Sequence, residues 1–188
     1  CTIEHSEQFI DLLETWDVPL FLSGHLHVQH CKRSEDNRGI WEMVTASLAT
    51  PSCKYAILTY RDDRSFLYRT QSLDVEAWAK KNQRTEEDLL NFKQFQTPFL
   101  RRVFYNQAIA ALNEVPELTD SEREQMAQLY SLLKFHYYQG TAYQVQEPVR
   151  NDPAYELWQE DGMATQQGEY FRYILEDGKR DYNRLEVN

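Results

Sequence analysis

Near residue 72 the hydrophobic pattern of this 188-residue chain changes its period, and that change constrains the fold more than any other feature. Before it, helix and strand signals alternate. Phe9, Leu12, Leu13 and Trp16 recur at helical spacing behind Ser6, a residue type that caps helix N-termini. Leu20, Phe21 and Leu22 form a short continuous apolar run, the pattern of a buried strand, and Gly24 breaks it. A charge-rich loop is expected from Lys32 to Gly39. Ile40 to Thr45 alternates as a strand would, and Tyr55–Tyr60 and Phe66–Thr70 flank RDDRS as the arms of a hairpin.

After residue 72 every segment reads as helix. Asp74 is a candidate N-cap, and both TEED from Thr85 and the Thr119–Glu122 stretch have capping-box form. Pro98 is expected to kink or split its helix. Gly140 and Gly178 are stops, and Asp152–Pro153 is a start. The fold class is therefore α+β. Residues 1–72 read as the end of an α/β or sandwich domain, and residues 73–188 as a small all-helical bundle or cap domain. The aromatic-rich stretches KFHYY and EYFRYIL are expected to supply a bundle core or a dimer face rather than a nucleotide-stacking surface.

Composition narrows the partners. A formal net charge of −10 argues against a nucleic-acid polymer or an anionic membrane as target, because phosphate attraction needs a basic face. It leaves room for a phosphate substrate held through metal ions. No apolar run approaches transmembrane length. Cys1, Cys31 and Cys53 are odd in number and irregular in spacing, so no disulfide framework is implied. The chain opens on Cys1 and runs almost at once into a helix-like pattern, as expected of the C-terminal part of a longer protein. Any targeting segment would precede it, so localisation cannot be read.

The stretch PLFLSGHLHVQH, residues 19–30, holds three histidines within six positions. Imidazole is the commonest side-chain ligand for zinc, manganese, iron and nickel. A strand that ends in Gly lets the following residues project from a rigid sheet edge into open space. In a tight loop, two histidines at i and i+2 can diverge, so that each serves a different ion of a close pair. His25 and His27 are therefore the candidate metal ligands. Ser23 and Gly24 shape the loop behind them. His30 is expected to be a loop histidine, and His5 and His136 to be structural or solvent-exposed. A different arrangement of the same stretch is a mononuclear zinc site from His25, His27, His30 and Cys31, although so compact a set is hard to wrap around a tetrahedral ion. TASLATPSC, residues 45–53, is expected to be a turn beneath the histidine loop, with lining of a substrate cleft as the alternative.

LFLSGHLH resembles the last signature of the calcineurin-like metallophosphoesterases, Gly-His-x-His after a buried strand. The order of helix, strand, histidine loop and Thr-Ala-Ser segment is similar to the C-terminal half of bacterial members in the cyclic-nucleotide phosphodiesterase branch, which can carry a helical C-terminal extension. The resemblance covers about the first 70 residues well. It implies that residues 1–72 are the C-terminal part of a metallophosphoesterase-type sandwich. It further implies two divalent ions, Mn, Fe, Zn or Ni, that clamp a small phosphate ester and drive its hydrolysis. By carry-over His25 would ligate one ion and His27 the other. The family's other ligands come from Asp-x-His, Gly-Asp and Gly-Asn-His motifs and a further His, and this chain has none of those three motifs. The resemblance therefore implies that the chain alone is inactive and holds no ion stably. The helical part is expected to be a cap over the cleft or a homo-oligomerisation element.

Overall fold

The computed structural model describes residues 4–33, 39–50 and 52–188. Cys1, Pro51 and residues 34–38 of the expected charge-rich loop lie outside the described residues. The rest form eight α-helices and two three-stranded sheets, so the chain is α+β.

Helix α1 (Ser6–Thr15) starts from His5, not from a Ser6 cap, and His5 sits in left-handed backbone. In the first sheet, β1 (Leu20–Ser23) and β3 (Trp41–Val44) run parallel, with Leu20 opposite Trp41 and Ser23 opposite Val44. Strand β2 (His30–Arg33) runs antiparallel on the far side of β3. The apolar run of β1 is not buried throughout, as its composition suggests. Leu22 is 55% exposed, because β1 is an edge strand and alternate residues face opposite sides. Lys32 and Arg33 belong to β2 rather than to a loop.

The second sheet is an antiparallel set with β5 (Phe66–Ser72) at its centre, between β4 (Lys54–Tyr60) and β6 (Arg184–Val187). The β4–β5 hairpin closes as RDDRS predicts. The Arg61 amide donates to the Ser65 carbonyl at 3.0 Å, and the Asp63 carboxylate accepts from the Ser65 amide at 2.9 Å. Strand β6 corrects the expectation that everything after residue 72 is helical. Its four residues, RLEV, are too short a signal to compete with the helical pattern before them, and they become a strand because β5 offers an open edge. The core of the sheets is small: Cys31, Met43, Phe66, Tyr68 and Tyr182.

The helical part has the larger core. Asp74 caps α2 (Val75–Lys81) by accepting from the Ala77 amide at 3.0 Å. Helix α3 (Glu87–Leu90) lacks the expected Thr85 cap: Glu86 stands at the N-cap, the Thr85 amide donates to Glu86 Oε2 at 3.1 Å, and the Asp88 carboxylate accepts from the Leu89 amide at 3.0 Å. Helix α4 (Phe92–Leu112) runs through Pro98 without splitting. Helix α5 (Asp120–Tyr138) starts on a complete capping box: the Thr119 amide donates to Glu122 Oε2 at 2.7 Å, and the Glu122 amide donates back to Thr119 Oγ1 at 3.3 Å. Helices α6 (Gln146–Arg150), α7 (Ala154–Glu160) and α8 (Gln166–Asp177) complete the set, and the Asp152 carboxylate accepts from the first amide of α7. Trp158 lies fully buried between Tyr130 and Phe171, with its indole N–H donating to the Met126 carbonyl at 2.9 Å. The KFHYY and EYFRYIL stretches supply core residues, among them Tyr137, Phe171, Ile174 and Leu175. Lys134 is enclosed by the rings of Phe104, Tyr130 and Tyr170 at 5.0–5.1 Å, and burial pushes its ammonium down to about 8.

Candidate functional site

Two loops leave the C-terminal ends of the parallel pair β1 and β3. One carries Gly24 to Gln29 and the other Thr45 to Thr50. In sheets with parallel strands, this edge is where ligands bind, because the loops there are held by a rigid scaffold and face open space.

The sequence places the tight turn of the first loop at Gly24. The structure places it at the histidines. His25 has φ +82° and His27 φ +58°, while the backbone of Gly24 stays outside the left-handed region. A side chain there costs on the order of 1–2 kcal/mol, although histidine tolerates it better than branched residues do. A Cβ added at Gly24 would meet no atom within 4 Å, so the space beside that backbone is open. His25 and His27 are both exposed. Ser23, at the end of β1, donates its hydroxyl to Glu42 Oε1 at 2.6 Å and so ties the loop entrance to β3.

The chain then dives inward. Val28, Gln29, His30 and Cys31 are all buried. His30 is not a loop residue. Its Nε2 lies 2.7 Å from Asp177 Oδ2, and its ring is tilted against Tyr182 at 4.3 Å. Burial raises the Asp177 carboxyl, and the hydrogen bond and charge of His30, with smaller help from Lys32 and Tyr137, together more than offset this and leave it below its ordinary range. Burial pushes the Cys31 thiol up to about 12, and its Sγ faces the Tyr182 carbonyl at 3.6 Å. A four-ligand zinc set from His25, His27, His30 and Cys31 does not assemble. Two of its members are exposed, and two are buried with other partners. Among the described residues no group of three His, Cys, Asp or Glu side chains is placed to hold one ion. His25 and His27 fit divalent-metal binding in donor chemistry, not in number. His5 is exposed, and His136 bonds Thr141 Oγ1 at 3.0 Å.

The second loop meets the first through residues that carry no motif. The Ala46 amide donates to Gln29 Oε1 at 3.3 Å, and Thr45 Oγ1 lies 3.0 Å from the Tyr68 hydroxyl. Tyr68 accepts in turn from Gln29 Nε2 at 2.9 Å. TASLATPSC is thus a turn joined to the end of the histidine loop, over its described residues.

Helix α5 ends against this junction, and the rest of the chain meets its last carbonyls. The Gln29 amide donates to the Tyr138 carbonyl at 3.3 Å, and the Tyr182 amide donates to Gly140 at 3.0 Å. The Lys54 ammonium donates to the Gln139 carbonyl at 2.5 Å and to Asn183 Oδ1 at 2.6 Å. A cation at a helix C-terminus is the favourable placement. Burial nevertheless pulls the Lys54 ammonium down to about 8.

A family model described as the C-terminal domain of cyclic nucleotide phosphodiesterase matches residues 74–181. The chain belongs to this family. The match relates it to phosphodiesterases, and so to hydrolases. It spans α2 to α8 and stops just before Tyr182, and the histidine loop lies outside it. A search of curated proteins finds no match to the chain.

Proposed function

We propose that this chain is the C-terminal portion of a calcineurin-like, dinuclear metallophosphoesterase that hydrolyses phosphodiesters, with cyclic nucleotides as the substrate class to test first. The single observation that carries the reading is the placement of His25 and His27. They sit on an exposed loop at the C-terminal end of a parallel strand pair, in a chain whose helices belong to a phosphodiesterase family. The division near residue 72 into a sandwich part and a helical part goes with it.

In this reading His25 and His27 each offer one neutral imidazole to a different divalent ion. Such ions, when bound, polarise phosphoryl oxygens and activate water. The remaining donors must come from carboxylates and histidines outside this chain, because two imidazoles fall short of the four or so ligands each ion needs. The chain's own contribution is to hold two rings in place. Ser23 fixes the loop entrance, and the open side of Gly24 leaves room for substrate. We expect the isolated chain to bind metal poorly and to be inactive.

The test is metal content and turnover together. The chain, purified without chelator or histidine tag, should hold well below one equivalent of Mn, Fe, Zn or Ni and should not hydrolyse bis(p-nitrophenyl) phosphate. Turnover by the isolated chain that survives His27→Ala would overturn the proposal. One tightly held ion per chain would count against it too, since the loop would then be making a site of its own.

A further inference from the structure

We propose that Gln29 is a positioning residue: through it, the helical part of the chain braces the two loops of the candidate site from behind. For its catalytic consequence this rests on the phosphoesterase reading. For its structural content it does not.

Gln29 is completely buried, two residues after His27. Its amide and both ends of its carboxamide are used. Its amide donates to Tyr138, and its carboxamide nitrogen donates to the Tyr68 hydroxyl at 2.9 Å and to the Tyr182 carbonyl at 2.8 Å. Its carboxamide oxygen accepts from the Ala46 amide at 3.3 Å. The orientation of the carboxamide is dictated by these partners. Reversed, it would set oxygen against the Tyr182 carbonyl and nitrogen against the Ala46 amide. One residue therefore joins the histidine loop to the Thr45–Thr50 loop and to the segment after α8 through its side chain, and to the end of α5 through its backbone amide.

Two further observations give this a direction. Gly140, at the end of α5, has φ +71°, and a Cβ there would lie 2.8 Å from Gln29 Cγ, so the helix terminus is shaped to admit this side chain. Val28, beside it, belongs to the helical core and not to the sheet core. The loop is thus held at its start by the β1–β3 ladder and at its end by the helices. Left-handed backbone at His25 and His27 persists only where the surroundings over-determine it, and these two attachments do so. Gln29 bonds neither imidazole and acts on the backbone that carries them; groups that orient metal ligands typically control metal affinity by about 10- to 100-fold.

The test uses Gln29→Leu, which keeps the bulk, and Tyr68→Phe as the milder variant. Amide hydrogen exchange is read on the 188-residue chain. We expect exchange at residues 24–29 and 45–48 to speed up tenfold or more in Gln29→Leu and about threefold in Tyr68→Phe, with α4 and the middle of α5 unchanged. Unchanged exchange in both loops, or uniform acceleration across α4 and α5, overturns the proposal; should Gln29→Leu fail to fold, Tyr68→Phe decides alone by the same criteria. In the full phosphodiesterase, the Mn²⁺ concentration for half-maximal activity should rise at least tenfold in Gln29→Leu. An unchanged Mn²⁺ requirement overturns the positioning role. An inactive wild-type enzyme defeats the phosphoesterase reading instead, and the exchange result then stands as the test of positioning.

Discussion

The two regions of this chain are unequal in how they secure themselves. Among the described residues, twenty-one buried side chains, twenty from the helical part and Val28 from the histidine loop, form one cluster, whereas five form the core of the sheets. One of those five, Tyr182, comes from beyond the last helix. Five side chains shared between two three-stranded sheets are few for independent stability. The sheets and their loops compensate with polar joints to the helices and to the segment after α8: His30 to Asp177, Lys54 to Gln139 and Asn183, and Gln29 to Tyr138 and Tyr182. The lesson is that the region with the candidate site takes part of its order from the rest of the chain.

The comparison can be broken most forcefully at the helical core. Trp158→Ala removes a fully buried ring and its hydrogen bond. It should cost about 3–5 kcal/mol, read by chemical denaturation, and if the sheets depend on the helices a sheet probe such as Trp41 fluorescence will unfold in the same transition. Two separate transitions would mean that the regions are independent. Gly140→Ala acts at the joint itself, combining left-handed backbone with a Cβ 2.8 Å from Gln29. It should cost about 2–4 kcal/mol, and exchange should show the histidine loop loosening more than α5.

The pH dependence of stability sharpens the comparison further, because each region holds one buried lysine. Lys54 and Lys134 are both pulled by burial to about 8, below the ordinary 10.5. Between those values the unfolded chain binds more protons than the folded one, so stability should rise with pH from about 8 towards 10. The gain ends as unfolded tyrosines ionise above pH 10, since burial holds the Tyr182 hydroxyl up to about 12. Denaturation midpoints across this range should lose part of their slope in Lys54→Met and part in Lys134→Met; a flat profile for the parent chain would refute both assignments. The smallest effect belongs to Thr119→Ala, which removes the side-chain half of the α5 capping box and should cost about 1 kcal/mol. It leaves the joint untouched, so loop exchange should not change relative to the global value.

Much of the fold is legible in the residues because its causes are local. The Thr119–Glu122 capping box, the Asp74 cap, the RDDRS turn and the Gly140 stop act within a few positions and form as their chemistry predicts. Local rules failed where other partners outbid them. Glu86 takes the Thr85 amide and Asp88 the Leu89 amide, so Thr85 has no box. RLEV becomes a strand because β5, more than 110 residues earlier, presents an edge. At the candidate site, the Gly-His-x-His stretch stands out by its composition, but the residues that hold it do not. Gln29 and Tyr182 are 153 positions apart, and nothing near either one announces the other. His30 looks like its two neighbours in the motif, yet its aspartate lies 147 positions downstream.

The reach from Gln29 to Tyr182 also sets an order of events during synthesis. At roughly 5–20 residues per second, the ribosome needs about 8–30 s to travel the 153 positions between them. For that interval Ala46, Tyr68 and then Tyr138 are within the chain already made, and the Tyr182 carbonyl is the partner still missing. The set of bonds is completed only when the tail arrives, so a chain that ends before Tyr182 holds its histidine loop with one hydrogen bond fewer.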